Sequence, residues 1–222
     1  DLNSGLGGKL TANPAKQEEP AITNDMVLWQ DTRDGVYQIY KADFKLEPVP
    51  LTIDIAAGFN LISVGNRLAK DYPKASALIQ AYPEIEKVMV FDSLHGFYIE
   101  ASPLGGDFDL GQGMGIIIYA NNNFTLELAE SGETALYTLF QGENHIGILT
   151  IPAGYRAYDL VNSIGIENIQ SVRRFDTKTG TWNTVAVRDA GAGKEPIGVN
   201  FAISPGDGLI VFAKKRIDGW KP

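Results

Sequence analysis

The chain has 222 residues, 44% of them hydrophobic and 21% charged, enough for a buried core and one or two domains. It contains no cysteine and only two histidines, which excludes a disulfide scaffold, a thiolate nucleophile, a cysteine-ligated cluster and a multi-histidine metal site. A net charge of −8 argues against nucleic acid as a partner, and no apolar run approaches the ~18–20 residues of a membrane span.

Residues 1–23 carry Gly5, Gly7, Gly8, Pro14 and Pro20 with few large apolar side chains, and read as a solvated arm. Such an arm needs a surface to hold it, supplied by its own domain or by a neighbouring subunit. No secretory leader is visible, as expected of a cytosolic protein or of a secreted one after cleavage. Residues 24–50 follow as a β-hairpin: within 26–43 two β-rich runs flank a turn with Asp34 and Gly35 as its fixing residues.

The remainder divides into two β-rich repeats, 51–128 and 129–222, whose matching cores span 58–120 and 145–213. The copies open on apolar strands, Phe59–Val64 and Ile146–Ile151. Short helical patterns follow at Ala75–Gln80 and Ala157–Asn162, stopped by Pro83 and Gly165. Second strands, Ile85–Asp92 and Ile169–Asp176, lead into turns of identical spacing: Asp92, Gly96 and Tyr98 match Asp176, Gly180 and Trp182. Each copy closes on Gly-x-Gly and an apolar strand, with Gly113 and Gly115 matching Gly206 and Gly208. The offset between copies runs from 87 at the first strand through 82 and 84 to 93, which places insertions in loops. One copy buries too little apolar surface to stand alone, and two packed together solve that. Phe124–Leu128 and Ala135–Phe140 fit strands bridging the copies. The expected fold is therefore α+β, mainly antiparallel, with two β-α-β-β(-β) repeats after an arm and a hairpin.

Two resemblances bear on these segments. The Trp29-x-Asp31-x-Arg33-x-Gly35 run with Ile39-Tyr40 resembles one hairpin of a Tol-type β-propeller blade, though it occurs once where a propeller needs ~4–8 blades. The repeat, with Gly-Phe-Asn-Leu-Ile-Ser, then Phe-Asp-x-x-x-Gly-x-Trp/Tyr, then Pro-Gly-x-Gly, resembles a tandem repeat of bacterial secreted and cell-surface proteins. The second copy departs from it with His145-Ile146-Gly147 where Gly-Phe-Asn would stand. This resemblance implies an extracellular, non-catalytic accessory or structural module, and brings no ligand with it.

The remaining motifs have ordinary structural readings. Asp92 and Asp176 accept backbone N–H groups within their turns while Gly96 and Gly180 take positive φ, an arrangement that resembles the Asp-boxes of sialidases and kelch-type hairpins. Gly113, Gly115, Gly206 and Gly208 precede strands, so they read as turn glycines and not as a dinucleotide loop, which opens a helix. Residues 190–195 lack the first Gly and the Ser/Thr of a Walker loop. Neither loop holds the oxygen set that calcium needs, so no metal or cofactor is expected. Asp107 and Asp109 form an acidic pair of the kind glycosidases use, but acids are frequent in this chain. Trp29, Tyr98, Trp182 and Trp220 are candidate glycan contacts if exposed on one face, and Asn123 heads a glycosylation triplet. The expected function is a non-enzymatic extracellular or cell-surface structural protein that self-assembles into a layer or filament, with the arm adding a strand to a neighbour's sheet. A glycan-binding or adhesion module is the alternative, and a hydrolase the third reading.

Overall fold

The computed structural model describes residues 17–22, 26–43, 51–129, 135–191 and 193–222. The first sixteen residues of the expected arm, residues 44–50 of the hairpin segment and residue 192 of the rejected Walker-like loop lie outside the described residues. The chain is α+β and mainly antiparallel, in two compact units, Asp1–Pro48 and Val49–Pro222.

The first unit holds a three-stranded antiparallel sheet: β1 (Gln17–Ile22), β2 (Met26–Asp31) and β3 (Gln38–Asp43), in that order. Alternation in β2 buries Val27, Trp29 and Asp31 on one face. The buried Asp31 carboxylate accepts hydrogen bonds from the Arg33 backbone N–H at 2.8 Å and from Arg33 Nε at 2.9 Å. The Arg33 guanidinium in turn lies over the Tyr40 ring, 3.9 Å from its centroid. Gly35 takes φ +82°, as the turn requires. The last part of the expected arm, β1, pairs with β2 of its own chain.

The second unit is a duplicated motif. The first copy runs β4 (Leu51–Ile55), β5 (Gly58–Ser63), α1 (Asn66–Asp71), α2 (Ala75–Ala81), β6 (Ile85–Asp92), β7 (Phe97–Ala101), β8 (Gly115–Ala120) and β9 (Phe124–Ala129). The second runs β10 (Tyr137–Leu139), β11 (Gly142–Gly147), α3 (Ala157–Ile164), β12 (Ile169–Asp176), β13 (Thr181–Asp189), β14 (Lys194–Gly198), β15 (Gly208–Ala213) and β16 (Ile217–Trp220). The main sheets are ordered β5-β8-β6-β7 and β11-β15-β12-β13-β14, so β14 is an addition to the second copy, as α1 is to the first. Each sheet buries one face beneath its helix. Val88, Ile116, Ile118, Leu78 and Leu68 form the first core, and Val172, Leu209, Val211, Leu160 and Val161 the second. A fully buried Ile or Leu of this kind contributes ~1.5–3 kcal/mol.

Equivalent positions differ from the expected register at the first strand. Asn60 donates to the carbonyls of Ala56 (2.7 Å) and Gly58 (3.0 Å) and accepts from the Ala56 N–H (3.0 Å). Asn144 repeats this with Phe140 (2.8 Å), Gly142 (3.0 Å) and the Phe140 N–H (2.7 Å). Gly58 and Gly142 share φ values of +94° and +99°. Gly142-Glu143-Asn144 therefore stands where Gly58-Phe59-Asn60 stands, at the same offset of 84 as the hairpin. His145 corresponds to Leu61, and the second copy keeps its opening Gly-x-Asn. The backbone demand at Gly and Asn is what repeats, while the residue between them changed from Phe to Glu.

The segments expected to bridge the copies also differ. β9 pairs with β4 (Ile55 opposite Phe124), and β10 pairs with β16 (Leu139 opposite Ile217). Each copy thus closes on itself with its own first and last strands.

Candidate functional site

The hairpin turns follow their sequence logic. Asp92 Oδ1 accepts the N–H groups of Leu94 (3.0 Å) and His95 (3.1 Å), and Asp176 Oδ1 those of Lys178 (3.0 Å) and Thr179 (3.3 Å). Gly96 and Gly180 donate to the Asp92 and Asp176 carbonyls at φ +77° and +67°. His95 is exposed and pairs its Nδ1 with Asp92 at 2.8 Å, and that hydrogen bond is the leading reason the Asp92 carboxyl is held below its ordinary range. Asp34 at the first unit's turn accepts the Tyr40 hydroxyl.

The four closing glycines divide into two jobs. Gly113 (φ +82°) and Gly206 (φ +98°) make the turn. Gly115 and Gly208 do not take positive φ and instead mark where the copies meet. A Cβ on Gly115 would lie 2.8 Å from Ile146 N, and one on Gly208 2.7 Å from Ile62 N. Backbone bonds cross at the same places: Ser63 donates to the Gly206 carbonyl at 2.9 Å, and Gly147 to that of Gly113 at 2.8 Å.

The outer faces of the sheets touch through Leu61, Ile117 and Ile210, with Phe59, Met89 and Phe212 around them. On one side Phe59 packs edge-on against Phe175 (4.7 Å between centroids) and Trp182 (6.0 Å). The equivalent place on the other side is polar. Glu143 and His145 stand there against Phe91 and Tyr98, with His145 stacked on Phe91 at 5.1 Å. His145 Nε2 lies 2.7 Å from Glu143 Oε1, and the Tyr98 hydroxyl lies 3.4 Å from both. His145 Nδ1 is buried without a partner among the described residues. Burial pushes the His145 pKa down against the pull of Glu143. Burial first, then the Glu143 charge, pushes the Tyr98 phenol up to about 12. Sequence reasoning missed this cluster, because the signal lies in Glu143 and His145 replacing Phe59 and Leu61 at an offset of 84.

Of the candidate glycan contacts, Tyr98 (48% exposed) and Trp182 (43%) occupy equivalent positions, while Trp29 is buried at 9% in the first unit and Trp220 is buried against Tyr137. Asp107 and Asp109 both meet Lys74 Nζ, at 3.5 and 3.1 Å. Asp107 also accepts the Ser76 N–H at 3.0 Å, capping α2 from a distant loop, as Asn200 does for Tyr158 of α3 at 2.9 Å.

Beneath the β6–β7 hairpin lies a cavity of about 390 Å³, lined among others by Val90, Asp92, Phe108, Asp109, Met114 and Phe140. The second copy carries Arg174 where the first carries Val90, and Asp207 where it carries Met114. Arg174 donates to the Ala202 carbonyl and to Asp207 Oδ2 (3.3 Å), and lies 4.9 Å from the Phe201 centroid. The backbone around the two sites matches closely. The Ser204 N–H donates to Asp207 Oδ2 at 2.8 Å, and the Gly111 N–H lies 2.9 Å from Met114 Sδ.

Among the described residues no group of three or more acidic or histidine side chains is placed to hold a metal ion, and no helix is long and apolar enough to cross a membrane. No family model, curated protein or solved structure matches the chain.

Proposed function

We propose that the protein is a non-enzymatic structural module of an extracellular or cell-surface assembly, and that it associates with copies of itself. The observation that carries this reading is the outer strand of the first unit's sheet. Among the described residues β3 pairs with β2 alone in that sheet, and Ile39 on it is 75% exposed, with Val36 and Tyr37 beside the turn at 60% and 61%. An edge strand with exposed apolar side chains is a template for strand addition. A head-to-tail contact of this kind that does not close on itself yields an open polymer. β1 and β3 each pair with β2 of their own chain, and the exposed apolar side chains at β3 and its turn are what favour β3 as the joining strand. The resemblance of the second unit's repeats to those of secreted and surface proteins supports the extracellular setting.

The test is light scattering across a concentration series, with negative-stain imaging of the concentrated sample. Mass rising to polymers, and falling to monomer in Ile39→Lys with the fold retained, supports the reading. A monomer at every concentration refutes it. One observation favours a second reading: Tyr98 and Trp182 stand half exposed at equivalent hairpin bases, where sugar rings could stack. Retention on polysaccharide that is lost in Trp182→Ala at unchanged thermal stability would favour glycan binding.

A further inference from the structure

We propose that the cavity beneath the β6–β7 hairpin is a binding site for a guanidinium group, the end of an arginine side chain presented from outside the copy. The second copy supplies the template. At its equivalent position Arg174 fills the space, with its guanidinium near the Phe201 ring and bonded to the Ala202 carbonyl. The first copy keeps the receiving parts. Phe108 stands for Phe201 and packs against the first core, and Asp109, which also lines the cavity, stands for Ala202 with its exposed carboxylate on Lys74. What it lacks is the cation. Val90, where Arg174 would be, ends several atoms short, and the cavity of about 390 Å³ opens beside it.

The charges at the site suit this occupant. Asp92 and Asp109 both line the cavity. Asp109 shares Lys74 with Asp107, and Asp92 meets His95, so each is partly met by the protein's own groups. Phe140, a second aromatic in the lining, already has the Arg216 guanidinium 5.3 Å from its centroid on one side. Met114 replaces the carboxylate of the template, so the external cation relies on Phe108, Phe140 and Asp92, all in the lining. A planar guanidinium satisfies all three at once, and a compact ammonium does not. This inference is independent of self-association through β3.

The experiment uses the full chain and N-acetyl-arginine methylamide as the probe, followed by two-dimensional NMR. Saturable shifts at Val90, Phe108 and Met114, with a dissociation constant on the order of millimolar, are expected. The lysine analogue should bind about threefold more weakly or worse. Val90→Arg should build the occupant into the chain and lower probe affinity at least about tenfold. Val90→Met, which fills the space without charge, should do the same and keeps the test valid if the arginine variant fails to fold. The proposal is overturned by an absence of saturable shifts at those three residues. It is equally overturned if the lysine analogue binds as well, or if the probe binds both filled variants as it binds the parent. A second copy as the source of the arginine would show as the same three shifts appearing on raising protein concentration alone.

Discussion

Gly208→Ala should lower stability far more than a glycine-to-alanine change in a strand ordinarily does. The new Cβ would sit 2.7 Å from both Ile62 N and Leu61 C, atoms of the other copy's main chain that have no rotamer to relax into. That is about 0.8 Å short of ordinary carbon contact, so β15 and β5 must part by a similar distance. The Ser63-to-Gly206 hydrogen bond, now 2.9 Å, then breaks. Overpacking of this kind costs ~1–3 kcal/mol, and the lost bond adds ~1 kcal/mol. The sum, about 2–4 kcal/mol, is a large share of the ~5–15 kcal/mol that holds a domain together. Gly208 does not take positive φ, so backbone strain adds nothing. Gly115→Ala should behave alike, because its Cβ would meet Ile146 N at 2.8 Å and His145 C at 2.9 Å. Urea unfolding measures this as a fall in midpoint at unchanged slope. A loss below about 0.5 kcal/mol in either variant would refute the close approach of the two copies.

Asn60→Ala and Asn144→Ala should each cost ~1–3 kcal/mol, because each removes a buried side chain that partners the same three main-chain groups of a half-buried turn; a loss in only one of them, measured by urea unfolding, would contradict the shared register. The His145 pKa is depressed in the fold, so the unfolded chain takes up the proton first as pH falls through the ordinary imidazole range, about 6.5. Stability is therefore complete above that range and declines below it by up to about one proton per molecule, a decline that His145→Leu should remove from the thermal midpoint's pH profile. The Asp207 pKa is raised by burial, so its ionisation opposes folding as pH rises. Arg174→Leu should sharpen that loss at neutral pH, and Asp207→Asn in the same chain should restore part of it, both read from thermal melts. In the first unit the Arg33 hydrogen bond holds the Asp31 carboxyl below its ordinary range. The stability this gives is present above the ordinary carboxylate range and is lost as pH falls through the depressed value, which the Trp29 fluorescence should follow.

Much of the fold is written in residues with a single backbone purpose. The Asp-x-x-x-Gly turns at 92–96 and 176–180 appear where an Asx turn and a positive φ require them, and the second strands of both copies start and stop as their patterns indicate. The register of the opening strand was harder to read because apolar character draws attention to Phe59, whereas Gly58 and Asn60 carry the constraint. Glu143 answers Phe59 at the same offset and conceals the match. The pairing of β4 with β9 and of β10 with β16 joins segments more than 60 residues apart, and no local pattern encodes such a partnership. The polar cluster and the cavity are differences between copies. Glu143 against Phe59 and His145 against Leu61 become visible only once the alignment is fixed by three-dimensional equivalence, whereas Val90 against Arg174 already follows from the hairpins' shared offset of 84.

Residue-resolved hydrogen exchange at the junction tests most directly whether the two copies act as one body. The Ser63 and Gly147 amides donate across the junction, and the Val88 and Val172 amides lie in the middle strands of the two sheets. If the copies open only together, the junction amides exchange with the same free energy as those interiors, and both follow global unfolding. Junction amides that exchange freely while Val88 and Val172 stay protected would mean that each copy stands alone, contrary to the packing described.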